Sequence, residues 1–152
     1  MEMNVKQTKN EEITQYIIVK IGREQYGINI KYIQNIVRIQ NITRVPKAPY
    51  YIKGVINLRG EIIPVMSIRL KFGLEDEEDT FNTRIIIVKI SGQVIGLIVD
   101  EVKEVTEIPE EDIQTVAREA NDERGNYIIG VGKIKSELVT LLNLEGFINV
   151  SS

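Results

Sequence analysis

Four groups of residues in this chain are of types and spacings that bear on chemistry, through side chains or backbone. Glu75-Asp76-Glu77-Glu78-Asp79 places carboxylates at consecutive positions. A calcium-binding loop alternates Asp and Asn around a central glycine, and this run does neither, so it reads as a solvated linker whose like charges repel. Asp100, Glu101 and Glu104 could pair carboxylates for acid–base work, but no nucleophile accompanies them and they read as a solvated face. Gly130-Val131-Gly132 lacks the lysine–serine pair and the helix start of a phosphate loop. The fourth group, Asn57-Leu58-Arg59-Gly60, carries a guanidinium on a turn, suited to bidentate contact with a carboxylate or with backbone carbonyls. Two roles are open to Arg59: contact with a partner, or an ion pair with an acid of its own fold.

Composition narrows the chemistry further. The 152 residues contain no cysteine and no histidine. There is therefore no thiolate nucleophile, no disulfide framework, no imidazole base, no zinc-binding histidine and no phosphoryl-carrying histidine. Nineteen Lys and Arg against 22 Asp and Glu leave a net charge of −3, which disfavours nucleic acid as a partner. No cofactor is indicated, and an enzyme is the least favoured class. Met1 to Glu12 is polar, lacks an apolar signal core and reads as a frayed tail. No apolar run approaches the roughly 20 residues of a membrane helix, so the expected compartment is the cytoplasm.

The elements that must position these groups are written twice. Ile17-Ile18-Val19-Lys20-Ile21 recurs unchanged as Ile86-Ile87-Val88-Lys89-Ile90, 69 residues on, and Gly27 recurs as Gly96 at the same offset. Ile30, Ile33 and Ile36 continue the register with Val99, Val102 and Val105. Later segments match at an offset of 76 residues, Gly54 with Gly130 and Glu61 with Glu137. The extra seven residues are expected around Arg118 to Asn126. Each copy reads as short strands with turn signals, 14–21, 25–30, 37–42, 51–58 and 61–66 in the first. Pro64 is expected at an edge or bulge, because proline cannot donate to a ladder. The three-to-four-residue spacing of Ile30, Ile33, Ile36 and Val37 predicts a short helical or 3₁₀ connection. Ile68 to Phe72 reads as one helical turn ended by Gly73, and Pro109 to Asp112 as another. The fold class is mainly β, with small antiparallel barrels. Gly60 is expected to supply a positive φ that Ser136, its counterpart, would tolerate poorly.

The segments Ile42-Thr43-Arg44-Val45-Pro46, Tyr51 to Gly60 and Ile62-Ile63-Pro64-Val65, with Gly96 to Asp100 and Gly130 to Gly132, resemble the CheW family of bacterial chemotaxis coupling proteins. The likeness covers about residues 13 to 148. It implies two pseudo-symmetric SH3-like five-stranded β-barrels packed on each other, with short helical turns. The barrels would span about 13–73 and 81–144 of a single domain over 13–150, joined by a linker at 74–80, with a C-terminal segment packing back. It implies a non-enzymatic adaptor that couples the histidine kinase CheA, through its regulatory domain, to the cytoplasmic signalling tips of chemoreceptors, recruited to membrane-associated arrays. Receptor contact is implied for Ile17, Ile30, Ile33, Ile36 and Val102, lining a groove between barrels with Arg59 at its rim. For each isoleucine, ordinary core remains the other reading. The kinase contact is unassigned. Asn35 stands where the family often has an acid, and Ser67-Ile68-Arg69 where it often has Asp-Leu-Arg. The second difference is expected to alter a local cap or turn. An adaptor of another receptor–kinase pathway and an SH3-like nucleic-acid binder are the rival readings.

Overall fold

The computed structural model describes residues 13–115 and 127–150. The β-branched runs form eleven strands among these residues: β1 Ile13–Ile21, β2 Glu24–Asn29, β3 Ile33–Arg38, β4 Ile52–Leu58, β5 Glu61–Ser67, β6 Arg84–Ile90, β7 Gln93–Val99, β8 Glu101–Pro109, β9 Ile113–Thr115, β10 Ile128–Ile134 and β11 Glu137–Leu142. Two short helices, α1 Ile68–Lys71 and α2 Leu144–Val150, and 3₁₀ turns at Ile30–Tyr32 and Glu110–Asp112 complete the described chain. The segment around Arg118 to Asn126 and the tail Met1 to Glu12 lie outside the described residues.

The strands form a six-stranded sheet, β8-β1-β2-β11-β10-β9, and a five-stranded sheet, β3-β6-β7-β5-β4. Each sheet mixes the copies. The first-copy hairpin β1–β2 lies beside β11 of the second copy, with Leu141 paired to Gly27 in parallel. The second-copy hairpin β6–β7 lies beside β5 of the first, with Val65 paired to Gly96 in parallel. These are the same pair of positions with the copies interchanged. The cores record the same exchange. One gathers Tyr16, Ile18, Ile108, Val139 and Leu141, the other Ile56, Ile63, Val65, Ile85 and Ile87.

This corrects the expected division into sequential halves. Among the described residues, one compact unit comprises 13–18, 25–30, 103–115 and 127–150, the other 19–24 and 31–102. The matching apolar faces of the two copies can satisfy a core from either, so strand pattern alone does not dictate which copy pairs with which.

Chain connectivity closes each sheet. In the six-stranded sheet the edge strands β8 and β9 are joined by the three residues Glu110–Asp112. Flat, the two edges would stand about 24 Å apart, and this connection reaches only about 14 Å, so the sheet must curl into a barrel. In the other sheet Thr43, just after edge strand β3, bridges Val55 on the opposite edge strand through two hydrogen bonds of 2.8 Å. Gly54 beside Val55 has φ +147°, and a Cβ there would lie 2.2 Å from the Thr43 carbonyl oxygen. The bond directions also place Pro64. Val55 spends its N–H and C=O on Thr43, so its pairing with Pro64 leaves the proline nitrogen facing away from β4. On that side the ladder to β7 runs from Val65 to Ser67. Pro64 therefore sits on an interior strand, beyond its paired stretch, and not at an edge.

Phe147 of α2 is buried and stacks on Tyr127 with centroids 4.9 Å apart.

Candidate functional site

Arg59 occupies a two-residue turn between Leu58 and Glu61, the last pair of the β4–β5 ladder. Arg59 and Gly60 both have positive φ, +54° and +85°, the primed geometry that matches strand twist. The Asn57 Oδ1 accepts from the Gly60 N–H at 3.0 Å and braces the tip. The counterpart turn has the same geometry without glycine, with Lys135 at +49° and Ser136 at +71°. Ser136, expected to tolerate a positive φ poorly, adopts one nonetheless: hairpin closure overrides the side-chain cost. The two tips differ in chemistry. Lys135 lies 3.9 Å from Glu104. Arg59 is exposed and meets no carboxylate among the described residues. Of the two roles open to Arg59, the internal ion pair is not formed there.

Ile33 and Ile36 stand on β3, opposite Val88 and Ile86 of β6. Three residues apart on a regular strand, they would face opposite ways. A bulge between Ile33 and Asn35 resets the alternation, so both join Val88 and Ile86 on the face away from the core residues Ile85 and Ile87. The Asn35 Oδ1 accepts from the Ile36 N–H at 2.8 Å beside that bulge. The helical reading of this stripe is correct only for Ile30–Tyr32, and the strand begins at Ile33 where 37–42 was expected. Ile30, Ile33, Ile36 and Val102 are all partly exposed. Ile17 is 6% exposed, on the face of β1 opposite Tyr16 and Ile18, and offers little surface. By compactness Ile17 and Ile30 belong to one unit, and Ile33, Ile36, Arg59 and Val102 to the other.

Sequence reasoning missed a polar hub in this second unit. The Arg69 Nε and Nη2 donate to Asp100 at 3.0 and 2.8 Å, and Nη1 donates to the Glu75 carbonyl at 3.1 Å. Glu77 lies 3.3 Å from the same guanidinium. Asp100 also accepts from the Gly22 N–H at 2.7 Å, and its own N–H donates to the Lys20 carbonyl at 3.0 Å. Burial alone would raise the Asp100 pKa. The bonds from Arg69 and Gly22, with the charges of Arg69 and Lys20, outweigh it and hold the carboxyl below its ordinary 3.8. Asp100 is thus a structural anchor, correcting its reading as a solvated face. The acidic linker is pinned too, through Glu75, Glu77 and Asp76, the last 2.6 Å from Lys53. Ser67 caps α1, its Oγ accepting from the Leu70 N–H at 3.2 Å, so the residue that departs from the family pattern does serve a local cap. Among the described residues no cluster of acids is placed to hold a metal ion, and no helix is long and apolar enough to cross a membrane.

The sequence matches the family model described as CheW-like domain over residues 15–152. It is 41% identical over 140 residues to a chemotaxis protein CheW of Helicobacter pylori, covering 92% of this chain and 84% of that one. A chemotaxis protein CheW of Klebsiella aerogenes is 31% identical over 131 residues, covering 86% and 79%. Among solved structures, the scaffolding protein TtCheW of Thermoanaerobacter tengcongensis superposes with a TM-score of 0.79 at 34% identity, covering 86% of this chain and 88% of that one. With its two exchanged β units and its Asn-Leu-Arg-Gly hairpin, the chain belongs to the CheW-like domain family of non-enzymatic chemotaxis scaffolds.

Proposed function

We propose that this chain couples a CheA histidine kinase, through its regulatory domain, to the cytoplasmic signalling tips of chemoreceptors, and so works at membrane-associated receptor arrays. In this reading Ile17, Ile30, Ile33, Ile36, Arg59 and Val102 are the receptor-contact residues, and Ile17 is the one that is buried in the free chain. The observation that carries this reading is Arg59: an exposed guanidinium on a braced tip that meets no acid among the described residues, where its counterpart Lys135 has Glu104. An arginine held this way keeps its fork for a partner carboxylate or carbonyl. Partly exposed isoleucines suit the apolar face of a receptor helix. The mechanism is geometric. Holding receptor and kinase on separate surfaces raises the effective concentration of each for the other, and ligand signals can then bias the kinase.

The test is binding of the purified chain to the regulatory domain of a CheA kinase and to a receptor cytoplasmic fragment, singly and together. Coupling requires micromolar binding to both and a ternary complex. Arg59→Glu is expected to weaken receptor binding by about tenfold or more, with kinase binding and the melting curve unchanged. Equal receptor binding by the variant would remove Arg59 from the contact. Binding to neither partner would remove the coupling function.

A further inference from the structure

A cleft of about 430 Å³ lies on the unit that carries Arg59, walled by Arg44, Val45, Lys47, Tyr50, Lys53 and Leu70. None of these residues is among the receptor contacts proposed above. The whole chain is net negative, yet this cleft sets three cations against one acid, Asp76. Asp76 engages Lys53 at 2.6 Å. Arg44 and Lys47 are exposed and meet no carboxylate among the described residues.

The loop that carries these cations is held in place. Thr43 is bonded to Val55 at one end, and at the other the Ile52 N–H donates to the Pro49 carbonyl at 3.0 Å. Pro46 and Pro49 restrict the chain between. Lys47 adopts φ +64°, a left-handed conformation costly for a lysine and of the kind that collects at binding sites. Tyr50 is 70% exposed, but its ring stands edge-on to Tyr51 at 5.4 Å. The Tyr51 ring is itself capped by the Lys71 ammonium at 3.8 Å. An exposed tyrosine in edge-on contact with its neighbour, beside an arginine that meets no carboxylate among the described residues, is the composition of an interface anchor.

We infer that this cleft binds an acidic peptide segment of a partner protein. An apolar side chain of the segment packs on Tyr50, Val45 and Leu70, and carboxylates flanking it pair with Arg44 and Lys47. Asp76 acts as an internal competitor, because it already holds Lys53. That pair is partly exposed on both sides and therefore weak enough to be displaced.

The experiment follows backbone amide signals of the ¹⁵N-labelled full chain during titration. The ligands are an acetylated decapeptide with glutamates around a central leucine–phenylalanine pair, its glutamine analogue, inorganic phosphate, and vesicles containing phosphatidylserine. The expected result is saturable shifts confined to 44–53 and Leu70 with the acidic peptide, weakening as salt is raised. The double variant Arg44→Glu/Lys47→Glu should lower affinity by about tenfold or more, since attraction becomes repulsion. Asp76→Asn should raise it about threefold by freeing Lys53, and melting temperatures serve as the folding control. Absence of saturable shifts, shifts elsewhere, or equal binding of the glutamine analogue overturns the proposal. Binding of phosphate or vesicles without the peptide also overturns it, in favour of a simple anion or membrane site.

Discussion

At the scale of single residues, the polar groups that matter in the fold are those whose partners lie far along the chain. Asp100 is the clearest case: it joins the β1–β2 turn at Gly22, helix α1 through Arg69 and, through that arginine, the linker. With its pKa held below 3.8, the stability it adds is fully present above the unfolded value and is lost as pH falls through the folded one. Asp100→Asn should therefore lower stability by about 1–2 kcal/mol near neutral pH, allowing for partial exposure. The difference should shrink as the pH is taken below about 4. Urea denaturation of both proteins across that range checks this, and a gap that stayed constant with pH would show that the carboxylate charge is not the source. In the sequence, Asp100 and Glu101 look alike; only the distance from Asp100 to Arg69 separates an anchor from a surface acid.

At the scale of elements, close backbone approach sets the positions that admit no side chain. Gly54 is the sharpest of these. Its φ of +147° and the 2.2 Å between a Cβ and the Thr43 carbonyl mean that any side chain must push Thr43 off Val55. Gly54→Ala should cost about 3 kcal/mol or more and lower Tm by roughly 10 °C, read by thermal melting followed at 218 nm. An unchanged Tm would mean that the bridge is not needed to close the sheet. Gly130 is the counterpart in the other unit, where a Cβ would lie 2.6 Å from the Gln114 carbonyl. The shared glycines were visible in the sequence as a repeat. Their cause was not, because the crossing segments Thr43 and Gln114 are themselves unremarkable in composition. The bulge in β3 was hidden for a similar reason: the spacing of Ile33 and Ile36 fits a helix as well as a strand with one extra residue.

At the scale of the whole molecule, each compact unit is built from both copies, so neither sequential half carries a complete core. Residues 1–73 would hold Tyr16 and Ile18 without Val139 and Leu141, and Ile63 and Val65 without Ile85 and Ile87. Each buried aliphatic is worth about 1.5–3 kcal/mol, and losing half of each cluster leaves too little to offset chain entropy. The fragments 1–73 and 74–152 are therefore expected to lack cooperative melting when separate and to recover a β-rich circular-dichroism spectrum when mixed. A cooperative melt of 1–73 alone would show that the strands can pair within one copy.

Local physical chemistry made much of this legible in one dimension. β-branched alternation marked nearly every strand, turn residues marked the hairpins, and the repeat marked two equivalent units. The absence of histidine and cysteine removed whole classes of chemistry, and the Asn57-Leu58-Arg59-Gly60 tip stood out because a turn and a guanidinium coincide there. Pairing between distant segments could not be read the same way. Copies with matching apolar faces satisfy a core in either arrangement, so the exchange of hairpins between units is settled by chain connections and by barrel closure. The partners of Asp100 likewise depend on residues brought together from far apart in the chain.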